Sequence, residues 1–91
     1  MAAMFPEPKV KKEIIERLRR IEGQARGIQR MIEEERPCDQ IIIQLSAIRN
    51  AINKAATTII VENLEACMLN QDPETDPREV LQEAKRMFLS L

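Results

Sequence analysis

The stretch DQIIIQLSAIRNAINKAATTIIVENLEACML, residues 39–69, decides the fold of this chain. Its β-branched runs at 41–43 and 57–61 are each compatible with a strand. The whole stretch, however, contains neither Gly nor Pro, and its apolar residues recur at helical spacing: Ile41, Leu45, Ile48, Ile52, Ala55, Ile59, Leu64 and Met68. Because only a helix reaches this length, we predict a single helix over about 39–69, roughly 45 Å long.

A second helical stripe precedes it, formed by Val10, Ile14, Leu18, Ile21, Ala25, Ile28 and Ile32. It predicts a helix over about 9–35, which ends before Pro37 because proline disfavours helix at the preceding residue. Gly23 and Gly27 each cost this helix roughly 1 kcal/mol relative to alanine. Their spacing indicates a close helix approach or a contact that needs bare backbone. Residues 1–8 are predicted to form a disordered arm.

The sequence Asp76-Pro77-Arg78-Glu79 has the pattern of a helix start, with an acceptor at the N-cap and proline at the first helical position. It predicts a loop over 70–75 and a short third helix over about 77–90. Ninety-one residues allow one domain, here 9–91. Such a chain cannot cover two long apolar stripes internally. We therefore predict an all-α fold whose three-helix protomer, long, longer and short, is completed by a second copy as an antiparallel helical-bundle dimer.

Charge is distributed unevenly along the chain, although the net charge is only −1. Residues 1–30 carry eight basic and four acidic side chains, whereas residues 62–91 carry three basic and seven acidic ones. The basic first helix indicates an anionic partner. No secretory signal and no apolar run of membrane-spanning length is present, so we expect a cytoplasmic protein without a membrane partner.

Two cysteines, Cys38 and Cys67, lie 29 residues apart on the predicted second helix, which is roughly 43 Å. A disulfide requires Cα atoms within about 7 Å, so the two cannot pair within one chain. If two such helices pair antiparallel about a two-fold axis near residues 52 and 53, Cys38 of one chain comes beside Cys67 of the other. Each dimer then holds two identical inter-subunit thiol pairs.

The two thiols are not equivalent in this arrangement. Cys38 lies at a helix N-terminus close to Arg36, where the thiolate is favoured, whereas Cys67 lies in a C-terminal turn with acidic neighbours. Cys38 is therefore the expected nucleophile and Cys67 the resolving partner. The alternative is that both are small buried hydrophobic residues, which is common for free cysteine.

The stretch RLRRIEGQARGIQRMIEEERPCDQIIIQLSAIRNAINKAA, residues 17–56, resembles the copper-sensitive operon repressor (CsoR-like) family of bacterial transcriptional repressors. The resemblance implies a dimer that assembles into a dimer of dimers, a homotetramer. It also implies that double-stranded operator DNA is bound without a helix-turn-helix, and that an inducer at an inter-subunit site lowers operator affinity. We expect no enzymatic activity, since there is no CxxC motif and no histidine base. A structural coiled-coil protein would explain the regular spacing of the apolar residues but not the particular sequence of residues 17–56.

Copper-responsive members of the family have Cys, His and Cys at the positions of Cys38, Asn63 and Cys67. This chain has no histidine at all, and an amide is a poor ligand for Cu(I), so we predict neither a metal site nor a cofactor. The motif ENLEAC, residues 62–67, is instead similar to the persulfide-sensing sulfurtransferase-operon repressor (CstR) branch. That similarity implies a persulfide or polysulfide inducer that links Cys38 to Cys67 of the partner subunit by a di-, tri- or tetrasulfide.

Two alternatives accompany this interpretation. The chain is a repressor that responds to Cu(I) or another metal through its two thiolates, or, less favourably, a formaldehyde-responsive one. The latter pairs the free amine of an N-terminal proline with the first cysteine, and Pro6 has no free amine unless the chain is processed. Asn63 itself is either a feature that keeps the thiols free of metal or a solvated polar residue near a helix end.

The resemblance also places the DNA-binding residues. Arg17 and Lys54 correspond to basic positions that matter for operator binding, and we add the nearby cations Arg20, Arg19, Lys12 and Arg49. From charge alone the alternative is an ordinary solvated face, in which Arg17 pairs with Glu13 and Arg20 pairs with Glu16.

Overall fold

The structure, a computed structural model, describes residues 7–69 and 76–91, and side chains for residues 7–65 and 76–91. Three α-helices follow one another: α1 (Pro8–Glu33), α2 (Cys38–Leu69) and α3 (Pro77–Leu89). The described residues contain no strand, and the predicted all-α, three-helix protomer is confirmed. The helix bounds differ from the predicted ones by at most two residues. The predicted loop 70–75 lies outside the described residues.

The first helix begins earlier than the sequence indicated. Pro8, which we placed in the arm, is the first residue of α1, because the fixed φ and missing N–H of proline suit the first helical position. The prediction of an arm is therefore wrong for this residue, and residues 1–6 lie outside the described part of the chain.

A capped turn, rather than Pro37 alone, ends α1. The N–H of Arg36 donates to the carbonyl of Met31 at 2.9 Å, and the N–H of Glu35 donates to that of Ile32 at 3.0 Å. This is the Schellman arrangement, and Glu35 adopts the left-handed conformation it requires, with φ 53°. The helix thus ends at Glu33, two residues before the predicted end, and α2 begins at Cys38.

The start of α3 follows the predicted cap. The Asp76 carboxylate accepts a hydrogen bond from the N–H of Arg78 at 2.9 Å, and proline occupies the first turn. One of the N–H groups that a helix start leaves without a partner is thereby satisfied.

The three helices form a single layer, because α2 contacts both α1 and α3 whereas no contact between α1 and α3 is found among the described residues. The molecule measures 58 × 26 × 14 Å, with a radius of gyration of 17.3 Å, whereas a compact domain of this length has about 12 Å. Among the residues whose side chains are described, the buried apolar ones are few: Ile14, Ile28, Ala55, Ile60, Val80 and Ala84. None of the described helices is long and apolar enough to cross a membrane.

The two glycines of α1 do not mark a close contact within the protomer. A Cβ placed on Gly23 or Gly27 meets no atom within 4 Å. The predicted close helix approach is therefore wrong for the single chain, because the face that carries the glycines points into open space. A contact of bare backbone with another molecule remains a prediction.

One face of α2 lacks a partner in the protomer. Leu45, Ile52 and Ile59, which belong to the predicted apolar stripe, are 43 %, 46 % and 41 % exposed. They follow one another at intervals of seven residues, so they form one seam along the helix. Cys38 lies seven residues before Leu45 and continues this seam to the start of α2.

Candidate nucleic-acid interface and thiol site

A cationic cleft lies between α1 and α2. Its volume is about 150 Å³ and its lining consists of Arg17, Arg20, Ile21, Gln24, Ala51 and Lys54. The α1 residues stand three and four positions apart and therefore share one face of that helix. Ala51 and Lys54 stand one turn apart on α2. The folding of α1 against α2 thus brings three cations together without an acidic side chain in the lining.

The charges of the cleft are not compensated by carboxylates. Two arginines of the described residues form ion pairs, Arg26 with Glu22 at 3.4 Å and Arg36 with Glu34 at 3.1 Å. Neither Arg17 nor Arg20 forms the pair that the solvated-face alternative expected. Arg17 is half-buried, whereas Arg20 and Lys54 are exposed. The cleft therefore offers cationic groups to an external anion.

The other predicted DNA-binding residues stand apart from this cleft. Lys12, Arg19 and Arg49 are exposed, and none of them lines it. The structure thus brings together Arg17, Arg20 and Lys54 and leaves the remaining predicted cations as separate surface charges.

Sequence reasoning missed a groove next to the cleft. Lys54 also belongs to a groove of about 500 Å³ along α2, which is lined further by Asn53, Thr57, Thr58, Val61 and Glu62. The spacing of these residues, with members four positions apart, is the signal that could have found the groove. Its surface is mainly apolar and includes the carboxylate of Glu62, so the groove adds no positive charge to the surface around Lys54.

Cys38 is an exposed free thiol at the first residue of α2. Helix N-termini present backbone N–H groups and the positive end of the helix dipole, although Asp39 adds a negative charge in the same turn. The guanidinium of Arg36, which the sequence placed close to the thiol, donates from Nε to Glu34 at 3.1 Å. What the structure shows of this thiol is that it is exposed to solvent at a helix start.

Cys67 lies in the last turn of the same uninterrupted helix, and its side chain lies outside the described residues. The helical rise puts the two cysteine Cα atoms roughly 43 Å apart. Thiols at the two ends of one helix cannot meet within one chain.

Asn63, one turn before Cys67, is buried. Only 6 % of it is exposed, so the alternative of a solvated polar residue is wrong. Its Oδ1 atom is fully enclosed and has no hydrogen-bond partner among the described residues. No group of three or more His, Cys, Asp or Glu side chains that could hold a metal is found within that same part of the protomer.

An all-helical layer with an uncompensated cationic cleft is typical of a nucleic-acid-binding protein. Comparison with known proteins makes the class specific, because residues 10–90 match the family described as "Metal-sensitive transcriptional repressor". The chain belongs to this family, which confirms the repressor resemblance seen in residues 17–56.

Two curated relatives and one solved structure show the similarity. The copper-sensing transcriptional repressor CsoR of Bacillus subtilis (strain 168) is 35 % identical over 80 residues, 88 % of this chain and 79 % of that protein. The copper-sensing transcriptional repressor RicR of Mycobacterium tuberculosis is 43 % identical over 61 residues, 67 % of this chain and 64 % of RicR. The nickel-responsive transcriptional regulator InrS superposes with a TM-score of 0.73 at 32 % identity, covering 87 % of this chain and 89 % of InrS.

Proposed function

We propose that this repressor binds double-stranded operator DNA through the α1–α2 cleft and releases it when a persulfide or polysulfide links Cys38 to Cys67 of the partner subunit. One observation carries the choice of inducer. The exposed thiol at the start of α2 belongs to a chain without any histidine. It is therefore available for sulfur chemistry, whereas the imidazole ligand expected of a copper sensor is missing.

The cleft supports the DNA contact by its charge. Arg17, Arg20 and Lys54 are cations without carboxylate partners, and cations of this kind bind the phosphate backbone. Arginine in particular presents a planar set of donors that matches two phosphate oxygens at once. The adjoining α2 groove places the amide of Asn53 and the hydroxyl of Thr57 near Lys54, together with the carboxylate of Glu62.

The thiol site forms between two copies of the chain in this proposal. The seam of Leu45, Ile52 and Ile59 is about half exposed in the protomer, and its burial against the same seam of a second α2 removes this apolar surface from water. An antiparallel pairing about an axis near residues 52 and 53 sets Cys38 level with Cys67 of the partner subunit. Two such dimers then form the homotetramer that binds the operator.

The chemistry at the thiol pair is nucleophilic. The Cys38 thiolate attacks the outer sulfur of a persulfide R–S–SH, the thiolate RS⁻ leaves as RSH, and Cys38 becomes Cys38–S–SH. The partner's Cys67 then attacks Sγ of Cys38, the inner sulfur of this persulfide, and the outer sulfur leaves as hydrosulfide. A disulfide forms, H₂S leaves, and the added sulfur has accepted the two electrons that the thiols lose. Two persulfidated cysteines give a trisulfide and H₂S instead, and one further added sulfur atom gives a tetrasulfide.

A metal inducer is the second candidate, because the family is described as metal-sensitive and the relatives are named for copper and nickel. The donor set of the chain fits such a site poorly. Cu(I) is bound by thiolate and imidazole, whereas the side chain one turn before Cys67 is the buried amide of Asn63, a hard oxygen donor. A three-coordinate Cu(I) site therefore lacks its third ligand.

A competition experiment separates the two inducers. Reduced protein bound to labelled operator DNA is titrated with Cu(I) under anaerobic conditions and, in parallel, with polysulfide. We expect polysulfide to release the DNA and Cu(I) to leave it bound, with the Cys38→Ala variant insensitive to both. The Asn63→His variant supplies the missing imidazole and should become responsive to Cu(I). Tight Cu(I) binding that releases DNA from the unaltered protein would show that the metal is the inducer.

A further inference from the structure

The middle of α1 carries more positive charge than the cleft accounts for. Residues 17–30 contain five arginines and a single acidic residue, Glu22, and Glu22 is paired with Arg26. A solvated helix face normally interleaves its cations with carboxylates three or four residues away. Over roughly 20 Å of this helix, four guanidinium groups form no ion pair with a described residue: those of Arg17, Arg19, Arg20 and Arg30.

These arginines lie on both sides of one line along α1, which runs midway between Gly23 and Gly27 and is called the glycine line below. At about 100° per residue, Arg20 and Arg30 lie about 40° to either side of it. On the side of Arg20 the positive charge continues into the cleft. On the other side Arg19 accompanies Arg30, roughly 16 Å away along the axis, and this exposed pair forms the outer flank. The helix thus presents two cationic flanks.

The surface between the two flanks carries no side chain along its centre. A Cβ placed on Gly23 or Gly27 meets no atom within 4 Å, so the glycine line faces open space. Acidic side chains bound this surface at both ends, with Glu16 before it and the glutamates 33–35 after it. An external molecule can therefore come close to the helix axis over residues 19–30, with cations on either side of it.

Two flanks of positive charge match a partner that has two rows of negative charge. Each wall of a DNA groove is a phosphate strand. An α-helix with its side chains is about 10–12 Å across, and the major groove, about 12 Å wide, admits it, whereas the minor groove, about 6 Å wide, does not. A single acidic peptide offers one row of charge and would leave one flank unused. The charge distribution on α1 therefore favours a helix that lies in a major groove.

We propose that α1 lies in the major groove of the operator with the glycine line toward the base edges, and that Arg19 and Arg30 bind the phosphate strand opposite to the one held by the cleft. The inference rests on the proposed operator binding and adds a second contact surface to it. The bare backbone at the glycine line lets the helix enter the groove deeply enough for guanidinium groups on both flanks to reach phosphates, whose oxygens they bind in pairs.

The first test removes the outer flank. Reduced full-length protein is titrated with operator DNA by fluorescence anisotropy at several salt concentrations. Arg19→Ala and Arg30→Ala should each lower the slope of log affinity against log salt by about 0.9 per contacting copy, whereas the paired Arg36, replaced by alanine, should leave it unchanged. Unchanged slopes in both outer-flank variants would overturn this inference, and a reduced slope in Arg17→Ala would then leave the cleft contact standing. An unaltered protein that binds no operator would refute the proposed function as well.

The second test fills the glycine line. Gly23→Leu and Gly27→Leu should raise the midpoint of thermal unfolding, because leucine favours helix and the added Cβ meets open space. The same variants should weaken operator binding at least about eightfold at 0.1 M salt, the equivalent of about one lost phosphate contact. Damage to the fold would lower both quantities. Gln29→Leu is the control, since Gln29 is exposed and lies about 140° around the helix from the glycine line. Leucine variants that bind DNA as tightly as the unaltered protein would overturn the inference.

Chemical protection of the DNA gives an independent readout of the groove. Dimethyl sulfate methylates N7 of guanine, which lies in the major groove, and N3 of adenine, which lies in the minor groove. We expect the bound protein to protect guanine N7 within the operator and to leave adenine N3 reactive. Guanine N7 atoms that stay reactive throughout the bound operator would exclude α1 from the major groove and overturn the inference.

Discussion

Replacing Arg17 by alanine removes one of the three cations that line the α1–α2 cleft. The guanidinium has no carboxylate partner among the described residues, so its loss frees no buried acid and leaves the fold intact. The variant therefore isolates the contribution of this charge to DNA binding.

The magnitude follows from counterion release. Each phosphate neutralised by the protein contributes about 0.9 to the slope of log affinity against log salt. Loss of one phosphate contact thus weakens operator binding at 0.1 M salt by about eightfold relative to its effect at 1 M salt. If two copies of the chain each lose one contact on the same operator, the factor is about 60. The salt slope itself should fall by about 0.9 per contacting copy.

The assay is a fluorescence-anisotropy titration of reduced protein with operator DNA at several salt concentrations. Arg36→Ala is the control, because Arg36 is paired with Glu34 and lies in the turn after α1, beyond the roughly 24 Å of helix that follows Arg17. The control should keep the slope of the unaltered protein. An Arg17→Ala variant with unchanged affinity and slope would refute the assignment of the cleft as the phosphate-binding surface.

Further predictions concern assembly and stability. Ile52→Asp, at the centre of the seam, removes about 1 kcal/mol of apolar burial per copy and places a carboxylate against the same carboxylate of the partner. Sedimentation analysis of this variant should therefore show monomers. Ile43 lies nine residues away on the opposite side of α2 and is 64 % exposed, so Ile43→Asp should leave the assembly intact. Gly23→Ala should stabilise the protein by about 1 kcal/mol, seen as a higher midpoint of thermal unfolding, because the added Cβ meets open space; an unchanged midpoint would contradict this. Asp76→Ala should cost about 1 kcal/mol in denaturant unfolding, since it removes the cap of α3, and Asp76→Asn should recover most of the loss.

The helices could be predicted from sequence because their signals are local. The long run without Gly or Pro defined α2, and the cap at Asp76 defined the start of α3. The end of α1 was less accessible, because the left-handed residue of its Schellman turn is Glu35 rather than glycine. A glutamate there gives no sequence signal.

The site was predictable only in part. Periodicity placed Arg17 and Arg20 on one face of α1, but it could not tell an anion-binding face from a solvated one. That distinction required the family resemblance and then the absence of ion pairs to these residues in the described structure. The burial of Asn63 was missed because it depends on how the helices meet, and no local pattern reports such a contact.

The most direct test of the central claim combines intact-mass analysis with operator binding on one sample of polysulfide-treated protein. We predict that loss of DNA binding rises in proportion to an inter-subunit species in which Cys38 and Cys67 are joined through two, three or four sulfur atoms in all, and that a thiol reductant reverses both. DNA release without a bridged species, or complete bridging with the operator still bound, would contradict the account.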